Sequence, residues 1–579
     1  MNNQKKYEKD SSTKKEKLLL ALMPYWTPLI PPMGIGTLKG FIASHGYDVK
    51  IADANIEAEF KNIYNIYFEE LGKYIPEHKG RRGNHFYNVG HNVLHDHMLA
   101  YINKVNEQEF IKLIKKIVHN TYYHELTVEQ IHSLNSIIGD FYAKLEKYVL
   151  TLIETEEPTV VGLSVYKHTF APSLFAFQVI KKYYPEIVTV MGGGIFTQTL
   201  SVGSSDLEYF LEETERYIDK VIIGEGEYIL LKILNGDLPS DKRVITLQDI
   251  NRQTVDLSTA PLPDFTDLDI KQYPLYGVYV SRGCPFKCSF CAETVIWDKF
   301  RIKSAQGFVE ELKDIYESYG RQFFWTCDSL VNPMISNVSK EIIKSGLPVY
   351  WDGYLRADKP VGNIENTMLW RRGGFYKARM GVESGSQRVL NLMDKRITVE
   401  QIKAAVSALA YAGIKTTTYW IIGYPGETDA DFELTLKLVE EIKDDIYEAM
   451  CEPFYFFMSG QVNSDEWVKK NNVIPVYTEQ ERKMLITQTY VMDSYPSAEI
   501  RHKRINRFVE HCEKLGIPTP YSVNEITNAD ERWKKLHKNA VPSMIEFMSG
   551  NKVIDEKKNI RHLIQADNSM LDEGDFAFI

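Results

Sequence analysis

Residues 277–291 read GVYVSRGCPFKCSFC, an apolar run that ends in a loop carrying Cys284, Cys288 and Cys291 in the spacing CxxxCxxC. Three thiolates in one tight loop can hold three irons of a cubane cluster and leave the fourth iron without a protein ligand, open to an exogenous one. A structural zinc site normally adds a second cysteine pair farther along the chain. Here Cys327, Cys451 and Cys512 are isolated. Six cysteines in 579 residues are too sparse for a disulfide framework, so the trio reads as local chemistry.

Working outward, GVYVSRG (277–283) opens a series of apolar runs: QFFWTCD (322–328), VYWDGYLR (349–356), KARMGVES (377–384), TTTYWIIG (416–423) and EAMCEPFYFF (448–457). The intervals leave room for a helix each, the pattern of β-α units curling into a partial barrel over residues 275–460. Function in such barrels gathers at the carboxyl ends of the strands. Those ends carry Asp328, Arg356, Asp358, the stretch GVESGS (381–386) and the stretch GYPGET (423–428). Taken singly, ESGS or GYPGE could equally be a helix cap or a turn. Asp328 is read as the candidate catalytic group, with capping of the next helix as its alternative role.

Upstream, LLLALMP (18–24), VKIAD (49–53), TVVGLS (159–164), IVTVMGGG (187–194) and KVIIGEGE (220–227) alternate with helical stretches, which predicts a Rossmann-like open parallel sheet over residues 18–250. A helical insertion occupies about residues 57–157 and holds eight of the fourteen histidines, among them His91, His95 and His97. They are read as solvated or hydrogen-bonded residues of an exposed helical cap, without a metal. Such sheets bind ligands outside the carboxyl ends of their strands. There the chain places Gly162, Ser164, Gly192, Gly193, Gly194, Gly224, Glu225 and Gly226, where backbone can approach a ligand closely. No GxGxxG follows the first strand, so a nicotinamide site is a poor reading. Residues 251–274 are rich in Pro and Asp and read as a linker. Residues 461–579 read as a helical domain, a substrate cap ending in an acidic tail, and residues 1–17 as a polar tail.

The cysteine loop and the strand ends behind it resemble the radical S-adenosylmethionine (radical SAM) superfamily over roughly residues 275–460. The resemblance implies Cys284, Cys288 and Cys291 as ligands of a [4Fe–4S] cluster whose open iron chelates SAM, and one-electron cleavage of SAM to a 5′-deoxyadenosyl radical. It implies Phe290, Gly423 and Pro425 at the adenine, Glu383 and Ser384 at the ribose or ammonium, and Arg356 at the carboxylate of SAM. The first domain, with PPMGIGTLKGFIASHGYDV (31–49), Asp53, VGLS, MGGG and GEGE, resembles the cobalamin-binding domain of the B12-dependent branch of that superfamily. The eight small or acidic strand-end residues would then hold cobalamin. No Asp-x-His-x-x-Gly occurs, so no histidine of the type that ligates cobalt from below is present in sequence. A scaffold without cofactor is the alternative for this domain.

The resemblance implies an α/β enzyme that moves a methyl group from SAM through cobalamin to an unactivated carbon or phosphorus of a natural product, peptide or other small molecule. The alternatives are a non-methylating rearrangement, cyclisation or oxidation with the same cofactors, and a non-catalytic iron-sulfur carrier or sensor. An electron donor such as flavodoxin or ferredoxin is implied as partner. The formal charge of −10, from 68 Lys+Arg against 78 Asp+Glu, argues against nucleic acid, which needs a basic footprint. The polar start MNNQKKYEKDSSTKKEK lacks an apolar signal core, and LLLALM is too short to span a bilayer, so a cytoplasmic protein without membrane contact is expected.

Overall fold

Period-two alternation in the first apolar run directs Leu18, Leu20 and Leu22 to one face of a sheet and Leu19 and Ala21 to the other, and both faces are buried. The computed structural model describes residues 16–537 apart from 27, 77–82, 294–296, 298, 455, 457–464 and 520–522. The acidic tail lies outside the described residues. The first sheet holds β1 (Lys17–Leu22), β2 (Asp48–Asp53), β3 (Val160–Ser164), β4 (Val188–Gly192), β5 (Lys220–Ile223) and β6 (Val244–Thr246). Its order is β2-β1-β3-β4-β5-β6, all parallel. The carboxyl ends of these strands therefore share one edge. Three-residue β6 is too short to show in the apolar pattern.

Helices from Ala58 to Glu156 form the insertion and cover one face of this sheet, sharing a core with Leu19, Val161 and Leu163. The histidines of HNVLHDH are consequently buried rather than solvated: His91 is 3%, His95 4% and His97 0% exposed. The helix that carries them packs with both of its sides inside this shared core.

The second sheet holds β7 (Tyr276–Val278), β10 (Phe323–Thr326), β11 (Tyr350–Leu355), β12 (Phe375–Glu383), β13 (Lys415–Ile422) and β14 (Glu448–Pro453), hydrogen-bonded in chain order and all parallel. Helices fill the intervals, giving a six-stranded partial barrel. A short antiparallel ribbon of β8 (Ser281–Arg282) and β9 (Arg301–Ile302) flanks the cysteine loop. Residues 251–274 lack strands, yet they are packed rather than free. Asp267 pairs with Lys39 at 2.7 Å and Lys50 at 3.1 Å, Tyr273 donates to Asp53 at 2.7 Å, and Phe265 is 2% exposed. One core continues from the first sheet through this strap into the barrel.

Beyond β14 come the helices Asp465–Lys470, Glu479–Leu485, Ala498–Lys514 and Val523–Leu536, together with an antiparallel pair, β15 (Val473–Pro475) and β16 (Tyr490–Met492), that helical periodicity does not anticipate. This region reaches back to the insertion, Lys116 pairing with Glu481 at 2.7 Å, and to the helix Ser205–Thr214 of the first domain, Arg482 pairing with Asp206 at 2.5 Å. Among the described residues no helix is long and apolar enough to cross a membrane.

Candidate functional site at the facing strand ends

Gly283, with φ at +88°, turns the chain out of β8 into the cysteine loop, a conformation glycine adopts without strain. All three cysteines are free, and Cys288 is the buried one at 8% exposure. The loop is fastened to the barrel: the Ser289 amide donates to the Met393 carbonyl at 2.9 Å, and the Ser289 hydroxyl lies 2.8 Å from that of Tyr424. Burial pushes the Cys284 and Cys291 thiols up, and Cys288 lies near enough to both to push in the same direction. Thiols held in this way ionise on binding a metal. Among the described residues no three His, Cys, Asp or Glu side chains close on a single point. The donor set, three free thiols in one eight-residue loop, fits a three-cysteine cluster.

The residues expected around SAM gather beside this loop. Arg356 is 5% exposed, lies over the Phe286 ring at 4.0 Å and sets Nη1 at 3.7 Å from Cys288 Sγ, while Nε bonds Asp358 at 2.8 Å. Glu383 adopts φ +65° and pairs with Lys395 at 2.5 Å. A Cβ on Gly381 would stand 2.3 Å from Glu383 Oε1 and 2.9 Å from Lys395 Nζ, so only glycine leaves this ion pair room. Lys395 also sits over the Phe290 ring at 5.4 Å. Burial pulls its ammonium pKa down, but Glu383 and Cys288 outweigh burial and the net shift is upward. Ser384 Oγ lies 3.2 Å from Thr435 Oγ1 and also accepts from the Ser386 amide at 3.1 Å. Capping is therefore part of what ESGS does, since Ser386 caps the helix Gln387–Leu392.

The GYPGE turn is braced from the C-terminal region. The Gly423 amide donates to Glu427 at 3.2 Å, Glu427 pairs with Arg504 at 2.7 Å, and the stem of Arg501 lies against Gly423, whose φ is +79°. Burial raises the Glu427 carboxyl to about 7 against the pull of Arg504 and the Gly423 amide. Pro425 is buried in the same turn.

Asp328 is 1% exposed and accepts from the Val280 amide at 3.1 Å and from the Ser281 hydroxyl at 2.5 Å, with the Ser281 amide as a further donor. Burial raises its pKa to about 6, while Ser281 and the two amides pull the other way. The carboxylate thus ties the end of β10 to the strand that leads into the cysteines. Asp328→Asn turns an amide N–H toward these donors and is expected to lower stability by about 1–3 kcal/mol, read as a fall in the urea midpoint. An unchanged midpoint would refute the clamp.

The eight strand-end residues of the first domain, Gly162, Ser164, Gly192, Gly193, Gly194, Gly224, Glu225 and Gly226, line one cavity. Its opposite wall is Tyr279, Ser281, Arg282 and Gly283, the strand entering the cysteine loop, with Cys327 and Ser329 beside it. Two glycines serve internal packing first. A Cβ on Gly193, at φ +109°, would meet the Val165 backbone at 2.5 Å, and one on Gly194 would meet the Tyr166 ring at 2.8 Å. They let the loop after β3 fold back, and Tyr166 then faces the cavity against Trp26, ring centroids 4.8 Å apart. No histidine lines the cavity among the described residues.

Glu225 turns to the barrel: Arg282 contacts Glu225 at 3.1 Å and Glu227 at 2.7 Å, and Arg301 joins Glu225 from the neighbouring strand. Lys395, Arg282, Trp26 and Tyr166 carry no local sequence signal of these roles.

Residues 278–439 match the family model for the Radical SAM superfamily. The chain is 26% identical over 374 residues to the anaerobic magnesium-protoporphyrin IX monomethyl ester cyclase of Rubrivivax gelatinosus, covering 57% of this chain and 64% of that enzyme. It is 23% identical over 384 residues to an uncharacterized methyltransferase of Pyrococcus horikoshii, covering 59% and 80%. Among solved structures, the radical SAM methyltransferase TsrM of Kitasatospora setae, bound to cobalamin and a [4Fe–4S] cluster, superposes with a TM-score of 0.60 at 13% identity over 96% of this chain and all of that one. Residues 278–439 carry a radical SAM domain, and the two facing α/β units share the fold of a solved radical SAM methyltransferase that binds cobalamin.

Proposed function

We propose that this chain is a cobalamin-dependent radical SAM methyltransferase acting on a small-molecule substrate. One observation carries the reading: a single cavity has the glycine-rich strand ends of the first sheet on one side and Arg282 and Gly283, next to Cys284, on the other. A corrinoid held there would face the SAM site directly. Cys284, Cys288 and Cys291 would hold the cluster, and the backbone at Gly162, Gly192 and Gly224 with the rings of Trp26 and Tyr166 would hold the corrin. When bound, the cluster supplies the electron that cleaves SAM and the corrinoid carries the methyl group.

The protein's own residues do the positioning. Arg356 steadies the buried Cys288, Glu383 and Lys395 set a fixed charge pair beside Phe290, and the Arg504-braced turn holds Gly423 and Pro425 in place. The continuous core between the units holds the facing strand ends in register. An electron donor of the flavodoxin or ferredoxin type would reduce the site.

The test is anaerobic purification with hydroxocobalamin supplied, then an iron and cobalt count. About four irons and one cobalt per chain are expected. Methyl transfer further requires S-adenosylhomocysteine to rise with product. Cobalt-free protein that cleaves SAM normally would overturn the corrinoid assignment. The similarity to the Rubrivivax cyclase favours a second reading, a non-methylating ring closure or oxidation, in which no S-adenosylhomocysteine accompanies product.

A further inference from the structure

A second cavity, of about 660 Å³, lies where the insertion, the loops after β3 and β4, and the chain after β14 converge. It shares walls with both candidate cofactor sites. Tyr166 lines the glycine-rich cavity and its neighbour Lys167 lines this one; Thr197 and Thr199 divide in the same way. On the barrel side, Phe454 and Met492 line the cavity and pack with Phe290 and Tyr424 in one cluster, and Arg501 joins it to Gly423. A molecule that must meet both cofactors has this chamber within reach. Its volume suits a drug-sized compound.

One buried group in its wall lacks a partner. His95 is 4% exposed, Nδ1 lies 3.1 Å from Asp96 Oδ1, and the ring stacks at 6.0 Å on Phe170. Asp96 is held in turn by the Tyr477 hydroxyl at 3.3 Å. His95 Nε2 is buried with no hydrogen-bond partner among the described residues. His97, two residues on, has Tyr67 at 3.0 Å and Asn135 at 2.7 Å on its two nitrogens, as a structural histidine should. The Asp96 carboxylate assigns the ring proton of His95 to Nδ1, which leaves Nε2 a lone-pair acceptor. Burial favours the neutral ring. Phe170, Ile195, Phe454 and Met492 make much of the remaining lining apolar.

We infer that this chamber is the substrate site, and that His95, oriented by Asp96, accepts a hydrogen bond from an O–H or N–H group on a small substrate with an apolar body. The inference rests on the proposed function in one respect, that substrate must reach both cofactors.

Phenol and anisole, alike in body but differing in the donor, are the probes, titrated into cofactor-reconstituted protein by saturation-transfer NMR. Phenol is expected to bind more tightly than anisole. His95→Leu should weaken phenol about tenfold and leave anisole within about twofold, and His95→Gln, which keeps an acceptor, should restore part of the loss. Circular dichroism checks that the variants fold. Equal affinity for phenol and anisole in the wild type, a comparison that needs no variant, overturns the inference, as does phenol affinity unchanged in His95→Leu. SAM cleavage by the wild-type sample is followed separately; its absence counts against the cofactor reading and not against the chamber.

Discussion

Cys288→Ala is expected to leave a protein that folds, holds little iron and cleaves no SAM above background under strong reductant. Cys288 is the buried member of the trio and sits in the middle of the loop, with Arg356 Nη1 at 3.7 Å and the Lys395 ammonium raising local positive potential. Its loss would remove one of the three bonds proposed to hold the cluster. The fold should survive, because the loop keeps its own fastenings through Ser289 to Met393 and Tyr424. Cys512→Ala is the control. Cys512 is buried in the core on the helix Ala498–Lys514, and burial raises its thiol to about 12, so it acts as a small apolar residue. That variant should keep its iron. Iron content and the visible absorption spectrum read both results, and a Cys288→Ala protein with full iron and normal SAM cleavage would remove the basis of the functional reading.

Arg282→Met is expected to cost about 3–5 kcal/mol and to abolish cobalt retention, because it strands buried charge. Arg282, Glu225 and Glu227 have side chains 8%, 3% and 6% exposed, so each carboxylate depends on a cation for what water would otherwise supply. Burial pulls the Arg282 pKa down, but Glu227 and Tyr279 more than reverse this and the net shift is upward. The guanidinium also lies over Tyr279 at 4.9 Å and Trp297 at 5.4 Å, both in the cavity wall. Its removal therefore loosens a clasp that joins the carboxyl end of β5 to the strand entering the cysteine loop. Adding Glu225→Gln and Glu227→Gln to Arg282→Met should recover part of the loss, since neutral side chains remove the stranded charge. The urea midpoint and the cobalt count check both variants. If the triple variant is no more stable than Arg282→Met alone, unpaired charge is not the cause.

The cluster loop, the partial barrel and the open sheet were legible because their signals are contiguous. CxxxCxxC lies within eight residues, and every strand of the two sheets except the three-residue β6 shows as an apolar run of its own. Of the insertion's histidines, His95 and His97 are hydrogen-bonded as expected, but the expectation of an exposed setting misled for a related reason. A helix of mixed polarity looks solvent-facing until its partners are known, and His91, His95 and His97 find theirs in Tyr25, Phe170 and Asn135. The segment 251–274 likewise lacks periodicity because it is anchored by single side chains such as Asp267 and Tyr273.

What the amino-acid order by itself determined is the inventory of the candidate site: three thiols, the ESGS and GYPGE turns and the small residues at the strand ends. Only the tertiary structure decided how that inventory is arranged: Glu383 against Lys395, Asp328 against the Val280–Ser281 backbone, Glu225 against Arg282 across two units, and His95 at the wall of a chamber between them. Spacing along the chain constrains groups within a turn or a strand, whereas a buried charge or a lone pair acquires its partner from wherever packing brings the chain back. No local pattern encodes that return.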